Sequence, residues 1–532
     1  MVLKLYLYNM KKRTKRLIIA FFVTLIIAIA FFNISDYVIS SKLKNYLKNN
    51  LPESVGLNYS HLSVSSWQGK LTIVNPKIVK NGNTSKIKYL QMSMDTLLVD
   101  GVSYWDYLAH DKISIKKLVI SSPKVVYNHD KSINTKQYKY SKLAALNKIV
   151  EIEQFKITHS DITVFNAQTD SLLLNSKNID VNIQNIEWPN KITKNKSSLN
   201  FKAYQLSFDN LFYQLNDFDN VTVNKSEINN DKIKFNTVKL KTKYTKQKLS
   251  SFLITERDHF DIAIDSIVFK EQDFGFIQDT IFFFHAPKTI LYNAEANIYR
   301  DKLVEDDPTI KPMYGEMLYA IDFDLMLNEV VVKDSNINYY ERAKVDNSGG
   351  ELSFSKFEAT LLNVGNTYKS PEKTIININT NFMKSSPLKV DWSFDVNDSS
   401  GSFLFSADLD VFQTNKINKF SGPNLNVRFE GDILKTYFTI SGNASTSRVD
   451  LKTKYQEFDI IALQNDGKKK NKLLSNILNI FVLKNSSQAS DNFRSGSEEE
   501  VTRDKTKSVF NFIWLNVKVG LLGAMTGSQK SN

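Results

Sequence analysis

The chain has 532 residues, no cysteine, only 18 glycines and 10 prolines, and 69 basic against 56 acidic residues, a net charge of +13. Without cysteine there is no disulfide framework, no thiol catalysis and no Cys-ligated metal site. The lysines are scattered through alternating stretches, where they keep faces soluble and edges unpaired, so the basic balance does not read as a nucleic-acid surface.

Residues 1–16 form a basic tail with Lys11, Lys12, Arg13, Lys15 and Arg16. An apolar run at 17–34 follows, carrying Leu17, Ile18, Phe21, Phe22, Leu25, Ile26, Ile29 and Phe32. That run is long enough to cross a bilayer core as a single transmembrane helix. Basic residues before it predict a cytoplasmic amino terminus and an exported remainder. The competing reading is a signal peptide cut after Ala28-Ile29-Ala30, but the run continues through Phe31 and Phe32 and favours an uncleaved anchor. Tyr37, Ile39, Leu43 and Leu47 continue the helix through 35–50 as a juxtamembrane segment that ends before Pro52.

Residues 51–465 read as one elongated β-domain built on a repeat. Ile113, Ile115, Leu118 and Ile120 alternate with a one-residue phase slip, then Val125 and Tyr127 follow. Val150, Ile152, Phe155 and Ile157 repeat the spacing, as do Ile262, Ile264, Ile267 and Phe269, and Leu325, Leu327, Val330 and Val332. A looser copy starts at Phe201, and Ile233, Phe235, Val238 and Leu240 match the first half. Alternation with a slip is the signature of strands with a bulge or bend that keeps one face apolar. Residues 98–110 read as a short helix or loop crossing. Toward the carboxyl end, Val390 to Val396 and Phe403, Phe405, Ala407 and Leu409 are cleaner strands.

Roughly twenty strands and almost no long helix pose a physical problem, because each strand has an apolar face needing cover. The sheet can fold onto a second sheet, or curl into a long trough that covers something else. The fold class expected is mainly β: an elongated, curled, antiparallel-rich sheet behind a transmembrane helix, closed by carboxyl-terminal amphipathic helices.

Residues 466–483 show helical spacing (Leu473, Leu474, Ile477, Leu478, Phe481, Val482), 484–508 read as a polar linker, and 509–527 as an apolar helix. Asn511, Asn516 and Lys518 argue against a second span. Phe510, Ile513, Trp514 and Val517 would then sit at a membrane interface or plug the trough, or the helix packs on the last strands.

No two of the histidines His61, His110, His129, His159, His259 and His285 stand at metal-ligand or triad spacing, and no phosphate loop, nucleophile elbow or dinucleotide fingerprint occurs. The sequence predicts no enzyme, no cofactor and no metal.

The basic start and single span, LPESVGLNYSHLSVSSWQGKLTIVNPKI, the repeated SPKVVY and SNINYY units, PLKVDWSFDVNDSSGSFLFSADLD and the closing RDKTKSVFNFIWLNVKVGLLGAMTG resemble the AsmA-like family, relatives of TamB. The resemblance implies a single-pass inner-membrane protein whose bulk lies in the periplasm. It also implies a β-groove that binds or conducts phospholipid for outer-membrane lipid homeostasis. The groove lining is then the four named positions of each copy, with Phe403 and Phe405. Partners implied are the inner membrane, phospholipid or another acyl-chain lipid, and envelope proteins; nucleic acid is not among them. The alternative expectation is a periplasmic scaffold or assembly factor that pairs client strands with exposed edges.

Overall fold

The computed structural model describes residues 12–82, 88–130, 149–188, 200–277, 281–464, 469–475, 482–487 and 492–526. Residues 1–11 of the basic tail, the side chains of Leu17 and Ile18, and Ile477, Leu478 and Phe481 of the expected 466–483 helix lie outside the described set. The chain is mainly β, with one long sheet and an apolar amino-terminal helix.

Helix α1 spans Lys12–Asn49 without a break, so the expected span and juxtamembrane segment are one element. Within its stretch Ala20–Asn49 an 18-residue window has a mean hydropathy of 2.0, so the helix is long and apolar enough to cross a membrane. Phe21 and Ile26 point outward, each 63% exposed. The polar groups inside it turn back on their own helix: Thr24 Oγ1 donates to Ala20 O at 2.7 Å and Asn33 Nδ2 to Ile29 O at 2.8 Å. That is how a polar side chain is tolerated in hydrocarbon.

The rest divides into two compact units, 1–211 and 212–532. In the first, strands come in end-to-end pairs: β1 (Val55–Asn58) and β2 (His61–Ser65), β3 (Lys70–Val74) and β4 (Lys77–Asn81), β5 (Lys88–Ser93) and β6 (Thr96–Val102), β7 (Lys112–Ser121) and β8 (Lys124–His129). β2-β3-β6-β7 form one antiparallel set and β1-β4-β5-β8 another. Both sets join the long strand β9 (Ile149–Asn166) in parallel, and β10 (Leu172–Trp188) pairs antiparallel to β9. The 98–110 crossing is the end of β6 followed by the short helix α2 (Tyr104–Ala109), capped by Ser103. α1 packs on β2, with Phe32 edge-on to Trp67 at 4.7 Å and Asp36 accepting the Ser66 backbone N–H. Strand β11 (Ala203–Gln214) runs across the boundary between the units.

In the second unit the antiparallel order is β12 (Asp219–Asn229), β13 (Lys232–Thr242), β14 (Asp258–Lys270) and β16 (Ile281–Asp301), with β15 (Asp273–Ile277) pairing on β16 beyond β14. β17 (Asp324–Arg342) lies parallel to β16, and β18 (Gly350–Gly365), β19 (Thr374–Phe382), β20 (Ser386–Phe394) and β21 (Phe403–Leu409) follow antiparallel. β23 (Val427–Gly442) takes both β21 and the short β22 (Phe412–Gln413), then β24 (Thr446–Ala462) and β25 (Arg494–Thr502) complete the order. Short helices α3 (Lys246–Ser250), α4 (Tyr314–Tyr319) and α5 (Asn418–Leu425) sit in connections, and α6 (Val509–Thr526) lies against β24 and β25.

β25 corrects the expectation of a polar linker at 484–508. Its residues give no apolar alternation, only Gly496 and Val501 turned to the helix side among serines and glutamates. Pairing with β24 supplies the order that hydropathy does not show.

Candidate functional site

Cross-strand partners share a face, and so do residues two apart in a strand. Followed from strand to strand, these rules line up the repeat copies into transverse rows. In the first unit one row runs Val64, Leu71, Val99, Leu118, Phe155, Ile183, and its neighbour runs Leu62, Ile73, Leu97, Ile120, Ile157, Val181. The first two repeat copies lie side by side in parallel register: Ile113 opposite Val150, Ile115 opposite Ile152, Leu118 opposite Phe155, Ile120 opposite Ile157.

The second unit carries the same device across ten strands. One row runs Phe235, Ile267, Leu291, Val332, Ala359, Ile378, Val390, Ala407, Phe438, Leu451. Beside it run Ile233, Phe269, Thr289, Val330, Leu361, Ile376, Trp392, Phe405, Ile440, Val449. Ten strands at about 4.8 Å make this apolar lane about 43 Å long. The next row on the opposite face reads Thr360, Asn377, Asp391, Ser406, Thr439, Asp450, Ser497 from β18 to β25. From β18 onward that face is wet, whereas toward β14 the same row continues as Val331, Ile290 and Val268, with Ile290 buried.

The phase slips of the sequence are lines of left-handed backbone across the sheet. Gly101 (φ 70°) and Asn185 (φ 53°) flank Lys116 and Glu153. Thr237 (φ 51°) and Asn293 (φ 52°) flank Asp265, and Asn293 Nδ2 donates to the Asp265 carboxylate at 2.9 Å. Pairing through both lines is unshifted, so the slip is a backbone turn in place rather than an inserted residue. Gly101 is needed there, since a Cβ would meet the Lys116 side chain at 2.7 Å.

The lane is covered at its carboxyl end and open in its middle. Ile113, Ile115, Leu118, Ile120, Val150, Ile152, Phe155, Ile157, Ile262, Ile264, Ile267, Phe269, Leu325, Leu327, Val330 and Val332 are all half-buried. Phe403 and Phe405, expected in the groove, are core residues instead, 6% and 7% exposed. Phe403 meets Phe512 of α6 at 6.1 Å, and Phe405 sits between Trp392 and Phe438. α6 supplies Val509, Phe512 and Ile513 to this cluster, and the segment around α4 adds Met313 and Tyr314.

α6 is seated by small residues and one hydrogen-bonded amide. A Cβ at Gly496 would fall 2.1 Å from Gly520 O, so helix and strand touch backbone to backbone. Asn516, fully buried, donates to Phe512 O at 2.9 Å and accepts from Ser447 Oγ at 2.8 Å. Of the residues expected at an interface, Ile513 is buried in the sheet contact, Val517 is half-buried, and Phe510 and Trp514 face outward at 62% and 52% exposure. The helix thus packs on the last strands and keeps an aromatic outer edge.

In the first unit the left-handed residues Asn75 (φ 50°) and Ser122 (φ 50°) shift the phase, so the apolar face continues as Leu57, Ile78, Met92, Val125 and Ile162 and the positions in step with the old count fall on the opposite, polar face. Two residues beyond Leu62, Ile73, Leu97 and Ile120 stand Ser60, Asn75, Asp95 and Ser122, where the end-to-end strands break. Two further on stand Asn58, Lys77, Ser93 and Lys124, paired strand to strand. Both polar rows line one cavity of about 530 Å³. The sequence signal for it was Lys77 and Lys124 two strands apart at matching points of two copies of the motif Pro-Lys (Pro76-Lys77 and Pro123-Lys124), a pattern overlooked because scattered lysines look like solvated edges.

Among the described residues no group of three His, Asp or Glu could hold a metal ion. Compared with known proteins, the chain matches no family model, no curated protein and no solved structure.

Proposed function

We propose that this protein is a membrane-anchored, non-enzymatic, AsmA-like carrier of phospholipid, held by α1 in the inner membrane with its sheet in the periplasm and its edges curled into a groove. The observation that supports this reading is the pair of apolar rows that crosses six strands of the first unit and ten of the second, with Thr289 the one polar position in them, half-exposed over much of their course. Acyl chains lie on the rows and headgroups stay in water. Burial at about 0.8 kcal/mol per CH₂ is near-uniform along such a lane, so a chain can slide without meeting a trap. In the first unit the lane starts on β2 beside α1, so an acyl chain leaving the bilayer would meet the half-buried Val64 and Leu71 first, beside the buried Leu62 and Ile73.

The test is site-specific photo-crosslinking of the full chain in cells, with a photoreactive residue at Ile120, Ile267 or Val332 and, as control, at Thr360 on the wet face. Phospholipid adducts at the first three and not at Thr360 are expected. Protein adducts without lipid at the lane positions would overturn the carrier reading in favour of a scaffold that binds client strands.

A further inference from the structure

We infer that the end of the first unit nearest α1 is a membrane seat: a collar of Trp67, Tyr104, Trp105, Tyr107 and Leu108 that lies in the headgroup layer of the bilayer α1 crosses. This rests on α1 spanning a membrane, and it goes beyond the carrier reading, which needs no such contact. Two connections meet at this end of the sheet. The β2–β3 turn carries Trp67, and α2, between β6 and β7, carries the other four. The Val102 N–H donates to Gly69 O at 3.0 Å and the Ser103 N–H to Ser114 O at 2.9 Å, so both connections are fixed on the strand ends. α2 buries none of its residues. Leu108 is 80% exposed, Trp67 73% and Trp105 71%, and Tyr104 and Tyr107 are exposed as well. The one charged residue of α2, Asp106, is half-buried and meets His110 Nδ1 at 3.1 Å. The outward surface is thus aromatic and aliphatic, and a contiguous patch of that kind marks a contact surface.

The neighbouring helix decides what covers it. Trp67 packs edge-on to Phe32 of α1 at 4.7 Å. Burial, and then the Asp36 carboxylate of α1, raise the Tyr104 hydroxyl above its usual value, which places α2 beside the same stretch of helix. Phe32 stands just before the end of the apolar run, and Asp36, about 6 Å further along the helix, accepts the Ser66 backbone N–H. A bilayer core takes about 20 residues, and that count back from Phe32 reaches Arg13 in the basic cluster. The membrane core therefore ends at the level of Phe32, and the collar stands where headgroups begin. Tryptophan and tyrosine favour that layer, because the ring sits among the esters while the N–H or O–H reaches water. A protein partner at this spot would have to displace those headgroups. Val64, on the first apolar row, is three residues from Trp67, so seating the collar brings the start of the lane within about 10 Å of the bilayer.

The measurement is depth-dependent fluorescence quenching of the full chain in vesicles of phosphatidylethanolamine and phosphatidylglycerol. The chain has no cysteine, so a single introduced one takes one environment-sensitive dye. The dye is placed by Ile26→Cys in the span, Leu108→Cys in the collar, or Thr169→Cys in the β9–β10 turn at the far end of the unit. The quencher is a lipid with a nitroxide near the headgroup or near the chain end. Position 108 is expected to be quenched by the shallow nitroxide and not the deep one, position 26 most by the deep one, and position 169 by neither. Trp67→Glu with Trp105→Glu should abolish quenching at 108 and leave position 26 unchanged, with an unaltered thermal melt. A quenched position 26 with an unquenched position 108 overturns the collar and leaves the anchor. No quenching at 26 removes the anchor and the collar with it. Deep quenching at 108, or quenching that survives the double variant, overturns the aromatic seat in the headgroup layer. Lipid crosslinking at Ile120 reads the carrier separately: its absence with position 108 still quenched removes the carrier reading and leaves the collar.

Discussion

Single residues on the same apolar row carry different work according to what covers them. Phe405 is walled by Trp392, Phe438 and the α6 cluster, whereas Ile267 in the same sheet is half-exposed. Phe405→Ala is expected to cost about 3–5 kcal/mol of stability, and Ile267→Ala about 1 kcal/mol, read by denaturant melts. Equal costs would mean that Ile267 is covered too. Tyr368 gives a pH-dependent counterpart. It is buried and donates to Asn328 Oδ1 at 2.9 Å, and burial pushes its hydroxyl up to about 12 from the usual 10. The folded state then holds a proton that the unfolded state gives up above pH 10. Its stabilisation is complete below pH 10 and is lost as pH rises through about 12. Tyr368→Phe should flatten that alkaline loss in melts taken between pH 9 and 12; Tyr339 and Tyr314, also raised by burial, supply what remains.

At the scale of elements, α6 decides where the lane ends. Its contact with β25 depends on bare backbone at Gly496, where a side chain would strike Gly520. Gly496→Leu should lift the helix, raise hydrogen exchange across 509–526 and expose Phe403 and Phe405, while β13 to β17 keep their protection. Unchanged exchange in α6 would show that the helix is not held there. This element also marks the limit of what the sequence discloses. The alternation at 113–120 and 150–157 showed that these are strands and that they match, because apolar periodicity survives in one dimension. That they lie parallel and in register depends on β7 and β8 meeting β9 end to end, a long-range pairing no local pattern encodes. β25 was invisible because its buried positions, Gly496 and Val501, are separated by exposed serine and glutamates and show no apolar alternation, and Phe405 looked like any other lane position because burial under α6 is decided by residues a hundred positions away.

For the whole molecule, a carrier must bind everywhere a little and nowhere too much, and a lane of aliphatic and aromatic side chains meets that condition only while it is continuous. Two cross-strand rows are the minimum width for an acyl chain to pass one altered residue, so blocking needs a charge on both. Val330→Asp with Val332→Asp places two carboxylates side by side on β17, half-exposed and able to stay hydrated, so the sheet should still fold. The same pair on Thr360 and Glu358 of β18 alters only the wet face and serves as control. Each charge set against the lane disrupts several buried methylenes at about 0.8 kcal/mol each, a barrier large on the scale of thermal energy. The lane pair is expected to abolish complementation of a deletion strain and lipid crosslinking at positions beyond β17, with wild-type melting behaviour. Full complementation by a folded lane pair would mean that nothing moves along these rows, and the apolar face would then have to be explained as a surface for a protein client.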